Sequence, residues 1–210
     1  MSNITFDYKV IGMIGTNCYL VKNETTKQAV LIDPAEFPDE IQTMIDRSGC
    51  KLMAVLLTHG HSDHMTAAKE VCEKNNVQLY AGEAEKELLE NPQLNLSARF
   101  GDAVSLTAQH WLKDDEELNI AGMNIRVIHT PGHTAGGLCY YISEAGLLFS
   151  GDTLFAESVG RTDFPTGSMS LLIRSIKEKL LKLPDETKVF PGHGESTSVG
   201  YEKKYNPYCQ

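Results

Sequence analysis

The sequence is poor in the features that mark secreted, membrane-bound or nucleic-acid-binding chains. It has five cysteines, an odd number, widely spaced at positions 18, 50, 72, 139 and 209, with no C-x-x-C among them. That excludes a disulfide framework and a zinc–thiolate site, and it fits reduced thiols in a cytoplasmic protein. Cys72 falls in an expected helix and Cys139 in an expected strand, so both are read as core residues. No apolar run approaches the roughly 20 residues needed to span a bilayer, so no membrane association is expected. The first residues, Met1 to Asp7, lack a basic region followed by an apolar stretch, so no secretory signal is expected. Basic residues are also scarce: 19 Lys and Arg stand against 28 Asp and Glu, a net charge of -9. Phosphate binding rests on Lys and Arg, so nucleic acid is disfavoured as a partner, although a local basic pocket for a small anion is not. Long linkers, low-complexity segments, charge blocks and solenoid repeats are absent too. What remains is a 210-residue chain, 41% hydrophobic and 22% charged, long enough to bury one core without staples.

Hydrophobic patterning divides the chain into strands and helices that interleave along its whole length. Ile4 to Val21 reads as two strands broken near Gly12 to Gly15, and Ala29–Ile32 as a buried strand ending at Asp33-Pro34. A helix follows, with Pro38 in its first turn, Ile41, Met44 and Ile45 on one face, and Gly49 at its end. Leu52 to Leu57 is a strand, Met65 to Lys74 a helix and Val77 to Ala81 a short strand. Glu83 to Ala98 reads as helical with an interruption at Pro92, whereas Leu106 to Asp115 has no decisive pattern. Met123 to Ile128 is a strand, Leu138 to Ile142 and Leu147 to Phe149 form a hairpin around Gly146, and Leu171 to Leu180 is one long helix. Lys188 to Phe190 is the last strand. This alternation predicts a layered α/β fold.

Four of the strands end in turns that carry His or Asp. The segment His59-x-His61-x-Asp63-His64 places four ligand-type residues in six positions, directly after an apolar strand. Asp63 alone might pass for a helix cap, but a cap leaves the histidines unexplained. Four ligands from so short a loop do not face one ion comfortably, so the loop is expected to split, His59 and His61 to one metal and Asp63 and His64 to another. His133, Asp152 and His193 each follow a glycine at a strand end and supply the remaining donors. The set matches two sites that share one carboxylate. Imidazole suits zinc or iron, and carboxylate widens the choice to manganese. His110 and His129 are left over and are read as structural.

These motifs resemble those of the metallo-β-lactamase superfamily, in its order, from about Val10 to Tyr205. Thr58–His64 resembles the family signature, Ile32-Asp33-Pro34 its early aspartate motif, Thr130–Thr134 its third-histidine motif, Ser150–Phe155 its bridging-aspartate motif and Pro191–Gly194 its last-histidine motif. The resemblance implies a four-layer αβ/βα sandwich with metals at one edge of two sheets. It also implies that His59, His61 and His133 hold one ion, that Asp63, His64 and His193 hold the other, that Asp152 bridges them, and that Asp33 lies behind the metal loop. Within the superfamily, Gly151–Phe155 followed by Gly160–Pro165 looks like the single-domain, glyoxalase II-like hydrolases. By that resemblance residues 1–210 form one domain without the C-terminal helical domain with which full-length glyoxalase II binds glutathione. Asp152 stands where secreted zinc β-lactamases often have Cys. Ala35 and Ala135 depart from the family's usual Gly and Pro, but neither is a ligand.

The chemistry this implies is hydrolysis of a small thioester by a hydroxide bridging two divalent metal ions, most simply zinc, with iron or manganese as alternatives. Asp63, His59 and His61 are the residues expected to set up that nucleophile, Asp63 by ligating one metal and orienting it. A thiolate, whose conjugate acid has a pKa of about 8.5, leaves without a general acid. Arg161 is a candidate clamp for a substrate carboxylate, or else an arginine paired with Asp163. Competing readings are a mono-iron persulfide dioxygenase-like enzyme, a lactonase and a non-catalytic metal-binding module.

Overall fold

The structure, a computed structural model, describes residues 3–210. Its frame is two six-stranded sheets. The first takes β1 (Ile4–Ile11), β2 (Thr16–Asn23), β3 (Gln28–Ile32), β4 (Lys51–Leu56), β5 (Gln78–Gly82) and β6 (His110–Leu112), in that spatial order. The second is built from β7 (Glu117–Ile120), β8 (Met123–His129), β9 (Leu138–Ile142) and β10 (Leu147–Gly151); a separate two-stranded ribbon, β11 (Leu154–Phe155) with β12 (Ser158–Val159), follows β10. The second sheet is completed by β13 (Lys188–Pro191) and β14 (Thr197–Ser198), in the order β14-β13-β10-β9-β8-β7. Neighbours β3 to β6 run parallel, as do β10 and β13, and the other pairs in the two sheets are antiparallel.

The layering follows from strand alternation. In β3, Val30 and Ile32 point to the opposite face from Ala29 and Leu31; in β4, Ala54 and Leu56 oppose Leu52 and Val55. One set packs against inward residues of the second sheet, including Val127, Tyr140 and Phe149. The other set is covered by helices: α1 (Pro38–Ser48), α2 (Ser62–Met65), α3 (Ala68–Asn75) and α4 (Lys86–Glu90) carry Ile41, Met65, Val71 and Leu89 into it. A short α5 (Ser97–Phe100) leads towards β6. On the far side, α6 (Met169–Glu178) and α7 (Val199–Tyr205) bring Leu172, Ile176 and Val199 against Cys139, Leu148 and Val189. Helix, sheet, sheet and helix make the four-layer αβ/βα sandwich. Because both faces of the central strands are buried, their sequences read as unbroken apolar runs rather than alternating ones.

The departures from the sequence reading are local. The helix expected over Met65 to Lys74 starts earlier and is two helices. The Ala67 N–H donates to the carbonyls of Pro34 (3.1 Å) and Ala35 (3.0 Å) instead of continuing the turn, which anchors the metal loop to the end of β3. The 83–98 stretch is not a helix kinked at Pro92. It is a short 3₁₀ turn and α4, then an extended Asn91, as a residue before proline requires, then a turn with Leu96 at φ 69°. The undecided segment 106–115 contains β6, a three-residue strand that exists through its pairing with β5. The helix expected to run through Leu180 ends at Glu178 and tightens into a 3₁₀ turn over Leu180–Lys182. Cys139 is buried as expected, whereas Cys72 is only partly buried at the core's edge.

Candidate metal centre

The strand ends from both sheets meet at one edge of the sandwich. β4 delivers His59 and His61, and the first turn of α2 delivers Asp63 and His64. His133 follows β8, Asp152 follows β10 and His193 follows β13. All seven residues expected from the sequence come together here, in three overlapping groups whose donor atoms lie within 4.8 Å of one another: His59, His61 and His133; His59, His64 and Asp152; Asp63, His64 and His193.

Contacts behind four of the imidazoles, those of His59, His64, His133 and His193, decide which nitrogen faces the centre. His133 Nδ1 donates to the backbone carbonyl of Arg161 (2.7 Å), which turns Nε2 to the centre. That nitrogen faces His59 Nε2 at 3.2 Å and His61 Nδ1 at 2.9 Å. His59 is fixed in turn through Nδ1, which donates to Thr58 Oγ1 (3.1 Å), while that hydroxyl donates to Asp33 Oδ2 (2.6 Å). Asp33 also accepts from the Thr58 N–H (2.7 Å) and from His64 Nδ1 (3.0 Å), so this buried carboxylate lies behind the 58–64 loop. His64 Nε2 and His193 Nε2 both approach Asp63 Oδ2, at 3.3 and 3.2 Å. Asp152 lies between the groups: Oδ1 is 3.5 Å from His64 Nε2, and Oδ2 is 3.6 Å from both His133 Nε2 and His193 Nε2. Asp152 Oδ1 is buried without a hydrogen-bond partner. Converging imidazole lone pairs and an orphaned buried carboxylate oxygen are repulsive as they stand, and cations between them satisfy them.

Comparison with known proteins agrees with this geometry. The sequence profile of the metallo-beta-lactamase superfamily matches residues 11–193. The chain belongs to that superfamily. It is 34% identical over 195 residues to hydroxyacylglutathione hydrolase GloC of Haemophilus influenzae, covering 91% of this chain and 92% of that one. Among solved structures it is similar to BLEG-1, a B3 metallo-beta-lactamase (TM-score 0.93, 38% identity, 98% and 100% of the two chains). It is also similar to TTHA1623 in a di-iron-bound form (TM-score 0.85, 33% identity, 96% and 99% of the two chains). Membership of this superfamily of metal-dependent hydrolases accounts for the His and Asp cluster at the sheet edge.

Electrostatics at the superfamily's metal edge separate the two sides of the centre. Burial, with His133 close by, pushes the His61 imidazole down to about 3, and burial beside three other imidazoles depresses His59 well below its usual range. These rings are neutral donors at physiological pH. Burial also opposes charge on Asp63 and His64, but their attraction to each other and to the groups around them together outweighs it. Asp63, held by His64 and by its hydrogen bond to His193, lies far below the usual carboxylate range, and His64, among Asp63, Asp152 and Asp33, is raised. His193 is raised as well, its burial outweighed by the hydrogen bond to Asp63 together with the charges of Asp152 and Asp63. One side thus presents neutral nitrogen, and the other carries the carboxylate charge.

Arg161 sits at the rim. Its guanidinium pairs with Asp163 at both nitrogens (2.7 Å each) and lies 3.9 Å from the centre of the Phe164 ring, which in turn faces the ring of His61. The two leftover histidines lie outside the donor groups. His110 stacks on Tyr80 at 4.2 Å, and His129 Nε2 donates to the Ala135 carbonyl (2.9 Å). Sequence reasoning missed the β2 contribution. Asn17 Nδ2 donates to the carbonyls of Pro191 and Gly194 (3.0 Å each), and the Tyr19 hydroxyl donates to Pro191 (2.7 Å), so β2 clamps the turn that bears His193. Nothing local in the sequence marks this, because the partners are backbone carbonyls far along the chain.

Proposed function

We propose that this chain is a binuclear, glyoxalase II-like hydrolase of small thioesters, acting on a hydroxyacyl-glutathione or a related acylated thiol. The observation that carries the reading is the donor set, two His-rich groups with Asp152 between them. In this reading His59, His61 and His133 hold one ion, Asp63, His64 and His193 the second, and Asp152 bridges. Such a pair supplies Lewis acidity towards a carbonyl oxygen and lowers the pKa of water between the ions. Asp63 stays ionised at any working pH and directs the nucleophile. His59 and His61 are neutral and do not compete for protons, and His59 is held from behind by Thr58. Asp33 keeps His64 facing inwards.

The leaving group favours a thioester. A thiol's pKa of about 8.5 lets it depart as the thiolate without a protonating side chain, unlike an amine or alkoxide. The phenol of Tyr201 is engaged elsewhere, donating to Glu157. Similarity to GloC supports the same substrate class. At the rim, Phe164 offers an apolar surface beside His61, and Arg161 binds a substrate carboxylate by exchanging Asp163 for it. The ions are zinc in the simplest case, with iron or manganese accommodated by the same donors.

The test is hydrolysis of lactoylglutathione by protein loaded with zinc, iron or manganese, beside His59→Ala, with a cephalosporin and a persulfide offered in parallel. Thioester turnover that is lost in the variant supports the reading. Cephalosporin hydrolysis alone moves the assignment to a β-lactamase, and oxygen uptake with the persulfide alone moves it to a mono-iron dioxygenase.

A further inference from the structure

Glu85 is a buried carboxylate with no place in the chemistry above. It is 1% exposed, at the end of the short 3₁₀ turn that follows β5. Burying a carboxylate is costly unless its oxygens are satisfied. Both of them are. Oε2 accepts the N–H of Gly60 (2.8 Å), the residue between His59 and His61. Oε1 accepts the N–H of Gly136 (2.6 Å), in the turn that presents His133. The two turns hang from different sheets, the first after β4 and the second after β8. One side chain therefore ties together the two loops that supply His59, His61 and His133.

The surrounding packing is built for this contact. A Cβ on Gly60 would lie 2.7 Å from Leu88 Cδ2 and 3.0 Å from Leu89, and one on Gly136 would lie 2.4 Å from the Glu85 backbone nitrogen. Both loops are glycine where they meet the 85–89 segment and press directly on it. The second triad has no such link to Glu85: Asp63, His64 and His193 are held through Asp33, Gly15 and β2.

We propose that Glu85 is the positioning residue of the His59, His61 and His133 triad, a strut that sets the spacing of these imidazoles across the seam between the sheets. Only a carboxylate has acceptors at both ends of the fork. An isosteric carboxamide keeps one and turns an NH₂ group against the other N–H. The inference rests on the two-metal reading of the centre, and on this triad as one of its sites.

The experiment measures zinc affinity by chelator competition in two backgrounds, His193→Ala, which leaves the His59 triad intact, and His61→Ala, which leaves the Asp63 triad intact. Glu85→Gln is expected to weaken zinc binding about 10–100-fold in the first background and to leave the second unchanged. Equal losses in both, or no loss in either with the fold intact by circular dichroism, overturns the proposal, since a purely structural role moves both sites together. If Glu85→Gln does not fold, Glu85→Asp decides the question. It keeps the charge, but one methylene less lets it reach only one loop, and the same selective loss is expected. Failure of the two-metal reading is separately visible: wild-type protein then binds no zinc that His61→Ala removes, and the inference falls with it.

Discussion

Gly192 shows how little room a converging centre leaves at a single residue. A Cβ there would lie 2.3 Å from Asp152 Oδ1 and 2.7 Å from His64 Cε1. The turn before His193 can close on the other donors only because this position has no side chain. Gly192→Ala is expected to push Asp152 and His64 apart and to cost at least tenfold in metal affinity, read by chelator competition, while the fold survives. Asp33 makes the opposite argument, for a side chain that must be present. Asp33→Asn keeps its volume but turns an NH₂ towards either the Thr58 N–H or the Thr58 and His64 donors. The expected result is a 10–100-fold loss of metal affinity, with His64 as the ring whose NMR signal shifts most.

Short elements depend on partners more than on their own sequence. The end of β8, just before the His133 turn, is tied to the C-terminal end of α6. Asp114 Oδ1 accepts the His129 N–H (2.9 Å), and Lys179 Nζ bridges Asp114 Oδ2 (2.6 Å) and the His129 carbonyl (2.7 Å). Burial works against its charge, but Lys179 and the His129 N–H hold the Asp114 carboxyl below its usual range. A group depressed in the folded state stabilises above its unfolded pKa and loses that contribution as pH falls through the folded one. Asp114→Asn is therefore expected to lower stability by about 1 kcal/mol at pH 7, the pair being partly exposed, with the difference vanishing well below pH 4. Denaturant unfolding at the two pH values checks this.

This dependence on partners also marks where the sequence was legible. The long strands, α1 and all seven donors could be read because each apolar run ends in a glycine or a dense His and Asp turn, a signal contained in a few neighbouring residues. Three-residue β6 could not, since it exists by pairing with Tyr80–Gly82. The break between α2 and α3 was hidden for the same reason, because Ala67 donates back to Pro34 and Ala35. Glu85 lay unremarked in the stretch read as helical, and its partners lie 25 and 51 positions away.

At the scale of the whole molecule, the donors add a cross-link between two sheets that also meet through apolar packing and through the β2 and Glu85 hydrogen bonds. A ligand that binds only the folded state stabilises it by mass action, by about 4 kcal/mol at a thousandfold excess over its dissociation constant. Removing metal with a chelator is expected to lower the melting temperature by several degrees with an unchanged far-ultraviolet spectrum, and adding zinc back should restore it in proportion to its concentration. His193→Ala should shrink that response, as one site no longer forms. An unchanged melting temperature in chelator would show that the sandwich does not need the cross-link. The described residues contain no helix long and apolar enough to cross a membrane, and their buried apolar side chains form three clusters between the four layers.

The placement of β13 carries a consequence in time. It lies between β10 and β14 in the second sheet, so a strand made late in synthesis fills an interior slot, and the residue that follows it by two, His193, completes the second triad. His59, His61, His133 and Asp152 all precede it. Under the two-metal assignment proposed above, synthesis therefore supplies His59, His61, His133 and Asp152 before the last histidine exists. On that assignment, the donors of one half are synthesised in full before those of the other, and a domain that folds as a unit brings both together only once β13 is in place.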